Sequence, residues 1–102
     1  MESEYIYHLT TEKEWEQAKI DGAYKPDGYD LEGFIHCSIE TQVAGVLERF
    51  YKGQTGLVKL KIEKAKVSRP VLFELAQDIN QLFPHIYGTL NIDSVVDVIK
   101  IS

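Results

Sequence analysis

The amino-acid sequence predicts an α+β domain, with its helices in the N-terminal half and most of its strands in the C-terminal half. Two patterns lead to this prediction. Apolar residues recur at helical spacing at Val43, Val46, Leu47 and Phe50, and these four residues are called the apolar stripe below. Residues 57–62 instead alternate between apolar and charged side chains, which is typical of a strand with one buried face. Because the helices precede the strands, a doubly wound parallel sheet is not expected.

The N-terminal half is expected to contain a strand, a helix, a loop and a second, short strand. Residues 5–9 are aromatic and β-branched, which favours a strand. Thr11, followed three residues later by Glu14, is the sequence signature of a capping box and predicts the start of the first helix. An irregular loop then leads to a strand at residues 34–37, and Ser38 is expected to cap the helix that carries the apolar stripe.

The C-terminal half is expected to supply three strands, at residues 57–62, 71–75 and 95–101, with a loop over residues 77–84. We expect the first strand of the chain to join these three strands in one sheet. Trp15 of the first helix and the apolar stripe of the second helix are then expected to pack on that sheet.

Length, charge and cysteine content limit the classes of protein to which the chain belongs. With 102 residues and neither linker nor repeat, it is expected to form a single domain over residues 1–102. The 16 Asp and Glu residues outnumber the 11 Lys and Arg residues, which disfavours nucleic acid as a partner. No apolar run approaches the roughly 20 residues that span a bilayer, and the acidic start does not resemble a signal peptide. We therefore expect no membrane partner and a cytoplasmic location.

Three histidines are the strongest candidates for a functional site. His8, His36 and His85 each lie on or beside a predicted strand among apolar neighbours, where an imidazole needs a hydrogen-bond partner. We expect the three rings to line one concave pocket, and the alternative is that each is a hydrogen-bonded structural histidine. Their spacing lacks the i, i+4 pair of a zinc-binding helix, so no metal is expected.

Alternation along the strands adds hydroxyl groups to these histidines. His36 shares a strand face with Ser38, and His8 shares one with Thr10. Two imidazoles and two hydroxyls on one surface suit the hydroxyl and amide groups of a small polar ligand. Ser38 and Thr10 also precede the predicted helices, so capping is an alternative role for both. Cys37 points away from the face of His36 and is expected to be a buried apolar side chain.

Glu74 is a further candidate because it interrupts the apolar strand predicted at residues 71–75. Its carboxylate lies either on the solvent face of that strand or in a cleft, where burial would raise its pKa. The sequence pattern leaves both placements open.

Four segments of the chain together resemble one protein family: IYHLT at the start, GFIHCS at residues 33–38, RFYKGQ at residues 49–54 and FPHIYGTLN at residues 83–91. The family is the bacterial domain of unknown function 952, and the resemblance covers nearly the whole chain. It implies an ADP-ribosylation-like fold, in which two small and mostly antiparallel sheets surround a cleft. Active members of that fold hold NAD in the cleft, so the resemblance implies NAD as a ligand or substrate.

The resemblance also implies roles for individual residues. His8 matches the position that binds a ribose, and His36 with Ser38 matches the strand at the nicotinamide end. Three functions are open at this point: a domain that binds a nucleotide- or ribose-like small molecule, an ADP-ribosyltransferase-type enzyme that uses NAD, and an interaction domain with structural histidines. The candidate ligand-binding residues are His8, Thr10, His36, Ser38 and Tyr87, and the candidate catalytic residues are His85 and Glu74.

Overall fold

Three small antiparallel sheets and three α-helices make up the part of the chain that the computed structural model describes, residues 4–26 and 28–101. In chain order the elements are β1 (Tyr5–Thr11), α1 (Glu12–Asp21), β2 (Ala23–Tyr24), α2 (Tyr29–Glu32), β3 (Ile35–His36), α3 (Val43–Phe50), β4 (Leu57–Glu63), β5 (Val71–Ala76), β6 (Gln81–Ile86), β7 (Leu90–Asn91) and β8 (Val95–Lys100). The sheets have the strand orders β1–β4–β8, β3–β6–β5 and β2–β7. The α+β class with antiparallel sheets and few helices is therefore confirmed.

The first sheet is organised around its central strand, β4. Val58, Leu60 and Ile62 are buried on one face of β4, while the two intervening lysines are half-buried on the other. This confirms the alternation predicted from the sequence. Trp15 and Ala18 of α1 belong to the same buried cluster, so the first helix covers this face of the sheet as expected.

The ends of α1 follow the local sequence. The Thr11 hydroxyl accepts a hydrogen bond from the backbone N–H of Glu14 at 3.1 Å, which satisfies one of the free donors of the first helical turn. Gly22 ends the helix with φ of 86°, a left-handed conformation that glycine adopts without steric penalty. The cap positions the end of β1 against the start of α1.

The second sheet corrects two predictions. The strand predicted at residues 71–75 does not join the first sheet, because β5 pairs only with β6. The predicted loop over residues 77–84 is instead a tight turn followed by the strand β6, with Asn80 at φ of 53°. Pro84 has no N–H to donate within this strand, yet its carbonyl accepts a hydrogen bond from the N–H of Cys37 at 2.9 Å.

A backbone bridge joins the first and second sheets beside the histidines. The Tyr7 N–H donates to the Ser38 carbonyl, and the Ser38 N–H donates to the Tyr7 carbonyl, both at 2.7 Å. Ser38 does not cap the second helix as predicted, because Ile39 and Gln42 occupy the N-cap positions of the 3-10 turn and of the helix that follow. A 3-10 turn over Glu40–Gln42 intervenes, and α3 begins at Val43.

The apolar stripe is buried only in its first half. Val43 and Val46 pack with Tyr7, Leu9 and Phe83 in a second core cluster. Leu47 is partly buried, and Phe50, the last residue of α3, is 62% exposed. The expectation that Phe50 packs on the sheet was therefore wrong, because α3 ends before this ring reaches the core. In the described ranges, no helix is long and apolar enough to cross a membrane.

Candidate functional site

A cavity of about 200 Å³ opens beside β1, between the start of α1, α2 and the segment that follows α3. Polar and aromatic side chains line this cavity together, and none of its described lining residues is Lys or Arg. It is called the histidine cavity below. Its principal lining side chains are His8, Thr10, Glu14, Tyr24, Glu32, Phe34, His36 and Tyr51.

His8 stands at the inner end of the histidine cavity with both ring nitrogens occupied by protein groups. Its Nδ1 lies 2.6 Å from the carbonyl oxygen of His36, which only accepts, so Nδ1 carries the proton. Complete burial lowers the pKa of His8 from 6.5 to about 4, so the ring is neutral at pH 7. Its Nε2 is then an acceptor for the Tyr24 hydroxyl at 2.8 Å, and Thr10 Oγ1 lies 2.9 Å from that same hydroxyl.

A second group of side chains is built on one face of the β3–β6–β5 sheet. His36 and His85 face each other directly across the two strands, and their Nδ1 and Nε2 atoms are 3.2 Å apart. Glu74 lies on the same face of β5, and its Oε1 atom is 2.7 Å from Nδ1 of His85. The Tyr87 hydroxyl donates to the same oxygen of Glu74. Phe34 stacks on the His85 ring with 4.1 Å between centroids.

Hydrogen bonds and burial shift the pKa values of two side chains in this second group. The hydrogen bonds donated by Tyr87 and His85 lower the pKa of Glu74, so its carboxylate is ionised and accepts a hydrogen bond from His85 Nδ1. Nδ1 of His36 and Nε2 of His85 share the next hydrogen bond. Burial, followed by the neighbouring His85 and Arg49, lowers the pKa of His36 to about 4, so its ring is neutral at pH 7.

His36 connects the two groups, because its carbonyl binds His8 while its ring binds His85. The hydrogen bonds of the two groups are therefore separate, but the covalent frame of His36 joins them and so links all three histidines. Only His8 and His36 belong to the wall of the histidine cavity. His85 lies behind His36 as its hydrogen-bond partner, so the expectation that all three rings line one pocket holds for two of them.

Of the other predicted site residues, some line the histidine cavity and others lie outside its wall. Thr10 lines the histidine cavity, whereas Ser38 is buried at the bridge to Tyr7 and is not part of the wall. Tyr87 and Glu74 pair with each other and reach the cavity only through His85 and His36. The binding and catalytic roles of these residues stay predictions.

The sequence interpretation missed Tyr24, which bridges His8 and Thr10. Tyr24 belongs to the two-residue strand β2, whose partner β7 follows more than sixty residues later, so no local pattern indicated its burial. Glu14 was assigned only to the helix cap, although its carboxylate also lines the cavity. A long-range contact, rather than local spacing, places both residues at the site.

A shallow groove of about 400 Å³ adjoins the histidine cavity. It shares Glu32, His36 and Tyr51 with the cavity and adds the apolar side chains of Val46 and Phe50. The exposed ring of Phe50, which fails to reach the core, thus forms one wall of this apolar groove. The ring of His36 stands where the polar cavity and the apolar groove meet.

Two further observations limit the chemistry of the site. Within the described ranges, no three His, Cys, Asp or Glu side chains are grouped so as to hold a metal ion. Cys37 is fully buried, and burial raises the pKa of its thiol above the ordinary value. A thiolate nucleophile at this position is therefore disfavoured.

Comparison with known proteins finds structural relatives. The crystal structure of CC0527 from Caulobacter crescentus, a structural-genomics target, is 27% identical in sequence with a TM-score of 0.84, over 92% of this chain and 82% of that one. The solution NMR structure of the same protein is 28% identical with a TM-score of 0.82, over 96% and 84%. No curated protein matches the chain.

A protein-family model assigns the chain to a family, which the structural comparison alone does not do. The model, described as a protein of unknown function (DUF952), matches residues 9–98, which include β1 from Leu9 onward and all but the end of β8. The match includes His36, His85 and Glu74 and leaves out only His8 among the three histidines. Because it extends over most of the sequence, the chain belongs to the DUF952 family.

Proposed function

We propose that the histidine cavity binds a small, uncharged molecule rich in hydroxyl groups, such as a ribose or a nucleoside. The observation that carries this proposal is the composition of the wall, which presents hydrogen-bond acceptors and no cationic side chain. The carboxylates of Glu14 and Glu32 both accept hydrogen bonds. Hydroxyl groups are donors that such a wall satisfies.

The charge of the cavity wall favours an uncharged sugar over a phosphorylated ligand. Proteins bind phosphate through Arg, Lys or a helix N-terminus with free N–H groups. The histidine cavity instead holds two carboxylates, which repel a phosphate by Coulomb interaction in a partly buried site. The faces of Phe34 and Tyr51 supply apolar contact area for the carbon atoms of a sugar ring.

The volume of the cavity also favours a small ligand. Sites for drug-sized molecules typically enclose about 300–1,000 Å³, whereas this cavity encloses about 200 Å³. A single sugar ring is of a suitable size. A base attached to that sugar would extend past His36 into the apolar groove beside Val46 and Phe50.

The continuity of cavity and groove favours one second candidate, an ADP-ribosyltransferase-type enzyme of ADP-ribosylation-like fold that uses NAD. In that candidate a ribose of NAD occupies the cavity, the remainder lies along the groove, and His85 or Glu74 serves as acid or base. The two carboxylates oppose the pyrophosphate of NAD, so this candidate ranks second. An interaction domain explains His8, whose nitrogens are both satisfied, but gives no reason for Nε2 of His36, which has no hydrogen-bond partner among the described residues.

The proposal is tested by thermal shift and calorimetry with matched ligands: ribose and adenosine as neutral probes, adenosine monophosphate and NAD as phosphorylated ones. A ligand at 100 times its dissociation constant stabilises the fold by about 2.7 kcal/mol, which raises Tm by on the order of 10 °C. We expect this shift with a neutral probe and a smaller one with its phosphorylated partner. A shift with NAD alone would favour the transferase, and no shift with any probe would contradict both candidates.

A matched pair of variants on α1 tests the role of the wall. Glu14→Gln removes a cavity carboxylate, whereas Glu16→Gln changes an exposed side chain on the same helix that pairs with Lys19. We expect the first variant to weaken binding of the neutral probe about tenfold, because a hydrogen bond to a charged acceptor is lost. The second variant should bind as the unmodified protein does. Equal affinities in both variants would remove the cavity from the binding site.

A further inference from the structure

We propose that β5 pairs edge to edge with β5 of a second copy of this chain, in antiparallel orientation, and so forms a two-fold dimer. The two three-stranded sheets have two outer edges, β5 and β8, because the bridge between Tyr7 and Ser38 joins these sheets on the side of β1 and β3. An outer strand presents backbone N–H and C=O groups with no strand beside them, and proteins either protect or pair such an edge.

The outer edge at β8 is protected by charged side chains. The Ile101 N–H donates to the Leu57 carbonyl on β4, so alternation along β8 turns the Val98 N–H away from β4. That outward N–H donates to the carboxylate of Asp97 in its own strand at 2.9 Å. Lys100 adds a second charge to the same strand. A carboxylate thus occupies a donor that another strand would need.

The outer edge at β5 has no such protection. The carbonyl of Pro70, directly before β5, accepts from the Tyr87 N–H at 2.9 Å, so alternate residues from Pro70 onward face β6. The N–H and C=O groups of Val71, Phe73 and Leu75 therefore face away from β6. Within residues 4–26 and 28–101, no other element donates to these groups or accepts from them. The strand contains neither Lys nor Pro, the residues that commonly block an edge.

Apolar side chains flank this open edge and are exposed to water. Phe73, Leu75 and Leu82 lie on one face of the β5–β6 hairpin, and Leu72 lies on the other. Each of the four is between 43% and 54% exposed. Pairing along β5 brings these side chains against those of the second copy, so it satisfies the backbone groups and buries apolar surface at the same edge.

The sequence of β5 selects one register of self-pairing. Residues opposite each other in an antiparallel pair share a face, so the two-fold axis passes through a residue, and an axis at Phe73 or Glu74 pairs most of the strand. An axis at Glu74 would place two carboxylates directly opposite each other, which is unfavourable. An axis at Phe73 instead pairs the two Phe73 residues and sets Val71 opposite Leu75, so every outward backbone group of these residues gains a partner.

Charges at the two ends of β5 favour a second copy over an unrelated strand. Arg69 lies just before the strand and Asp78 lies in the turn that follows it, and both are exposed. Neither forms an ion pair within the described ranges. An antiparallel pair about Phe73 brings Arg69 of each copy to the Asp78 end of the other, so opposite charges meet at both ends. Such a two-fold contact closes on itself and leaves β5 without a free edge.

Sedimentation velocity of the full chain tests the pairing. A single strand edge is smaller than the roughly 800 Å² per partner of a standard interface, so we expect a dissociation constant on the order of 100 µM. Monomer should give way to dimer between about tenfold below and about tenfold above this concentration. Phe73→Lys places two ammonium groups opposite each other and should weaken association at least about tenfold. The control Ile20→Lys makes the same charge change at an exposed residue of α1 and should associate as the unmodified protein does.

Amide hydrogen exchange of the unmodified protein gives a second readout, which does not depend on whether a variant folds. On passing from dilute to concentrated solution, exchange at Val71, Phe73 and Leu75 should slow because their N–H groups become paired. Leu72 and Glu74 already face β6, so their exchange should change little. Unchanged exchange at all five positions would contradict the dimer.

Disulfide crosslinking tests the register. Phe73→Cys brings two Cα atoms at the axis about 5.5 Å apart, a separation that a disulfide spans, whereas Leu75→Cys faces Val71 of the second copy. The first variant should form a linked dimer on mild oxidation and the second should not, and the native Cys37 is buried. A monomer at every concentration, a polymer that keeps growing, equal association of the two Lys variants or linkage through Leu75→Cys would each overturn the proposal.

Discussion

The two ends of the histidine network use the same side chain in different surroundings. At the His8 end, burial is complete and every polar atom has a protein partner: the His36 carbonyl, Tyr24 and Thr10. At the His36 end, the rings are half-buried and the chain of hydrogen bonds ends on a partly exposed carboxylate. The difference teaches that a buried imidazole with two protein partners stabilises a fold, whereas one with a free nitrogen at a cavity is available for chemistry.

The largest expected effect is on the His8 end. His8→Ala removes a buried ring, leaves the His36 carbonyl without its side-chain partner and leaves the Tyr24 hydroxyl with Thr10 alone. The unsatisfied carbonyl costs about 1–3 kcal/mol and the cavity left by the ring adds to it, so the variant should lose roughly 2–5 kcal/mol of unfolding free energy. Urea denaturation measures this loss. His85→Ala is the comparison, and it should destabilise less because water reaches Glu74; equal losses would erase the contrast between the two ends.

The pH dependence of stability sharpens the same contrast. In the folded protein His8 stays neutral down to a pKa of about 4, whereas in the unfolded chain it takes up a proton near 6.5. The unfolded state therefore binds more protons between these values, so stability falls as pH falls from about 6.5 to 4. The shift corresponds to about 3 kcal/mol for this one buried group.

The variant His8→Gln isolates the contribution of His8 to the pH dependence of stability. An amide fills part of the same space but does not titrate, so its unfolding free energy should change much less between pH 7 and pH 4.5. A shallower dependence should persist because the pKa of His36 is also lowered by burial. If the two proteins lose stability in parallel, the buried neutral state of His8 is not the cause.

A smaller effect is expected at the tyrosine that supports His8. Tyr24→Phe keeps the ring but removes the hydroxyl between His8 Nε2 and Thr10 Oγ1. Because Tyr24 is 2% exposed, no water replaces that hydroxyl, and the variant should lose about 1–2 kcal/mol. Tyr29→Phe, a half-buried tyrosine outside the network, is the control in the same urea titration. No difference between the two variants would contradict the assigned role of Tyr24.

Local signals predicted those parts of the fold that depend on neighbours in sequence. The cap at Thr11 and the alternation along β4 were both predictable, because each follows from a few adjacent residues. The partition into separate sheets was not, because it depends on which distant strands pair. The strand β6 was not predicted, and it contains Pro84, a residue type that is unusual in a strand with partners on both sides.

The candidate site divides in the same way. The three histidines were identified from their apolar neighbours, and strand alternation correctly placed Thr10 beside His8 at the cavity. Tyr24 was missed because its position depends on the pairing of β2 with β7. The arrangement of the pair, with His36 at the cavity and His85 behind it, depends on the cross-strand register of β3 and β6. Register is a tertiary property that strand spacing alone does not supply.

The smallest effect is expected at the second tyrosine of the network. Tyr87→Phe makes the same chemical change as Tyr24→Phe, but its hydroxyl donates to the partly exposed Glu74. Water replaces the lost donor there, so the urea midpoint should stay within the error of the measurement. A destabilisation as large as that of Tyr24→Phe would show that both ends of the network are structural, and the contrast between them would fail.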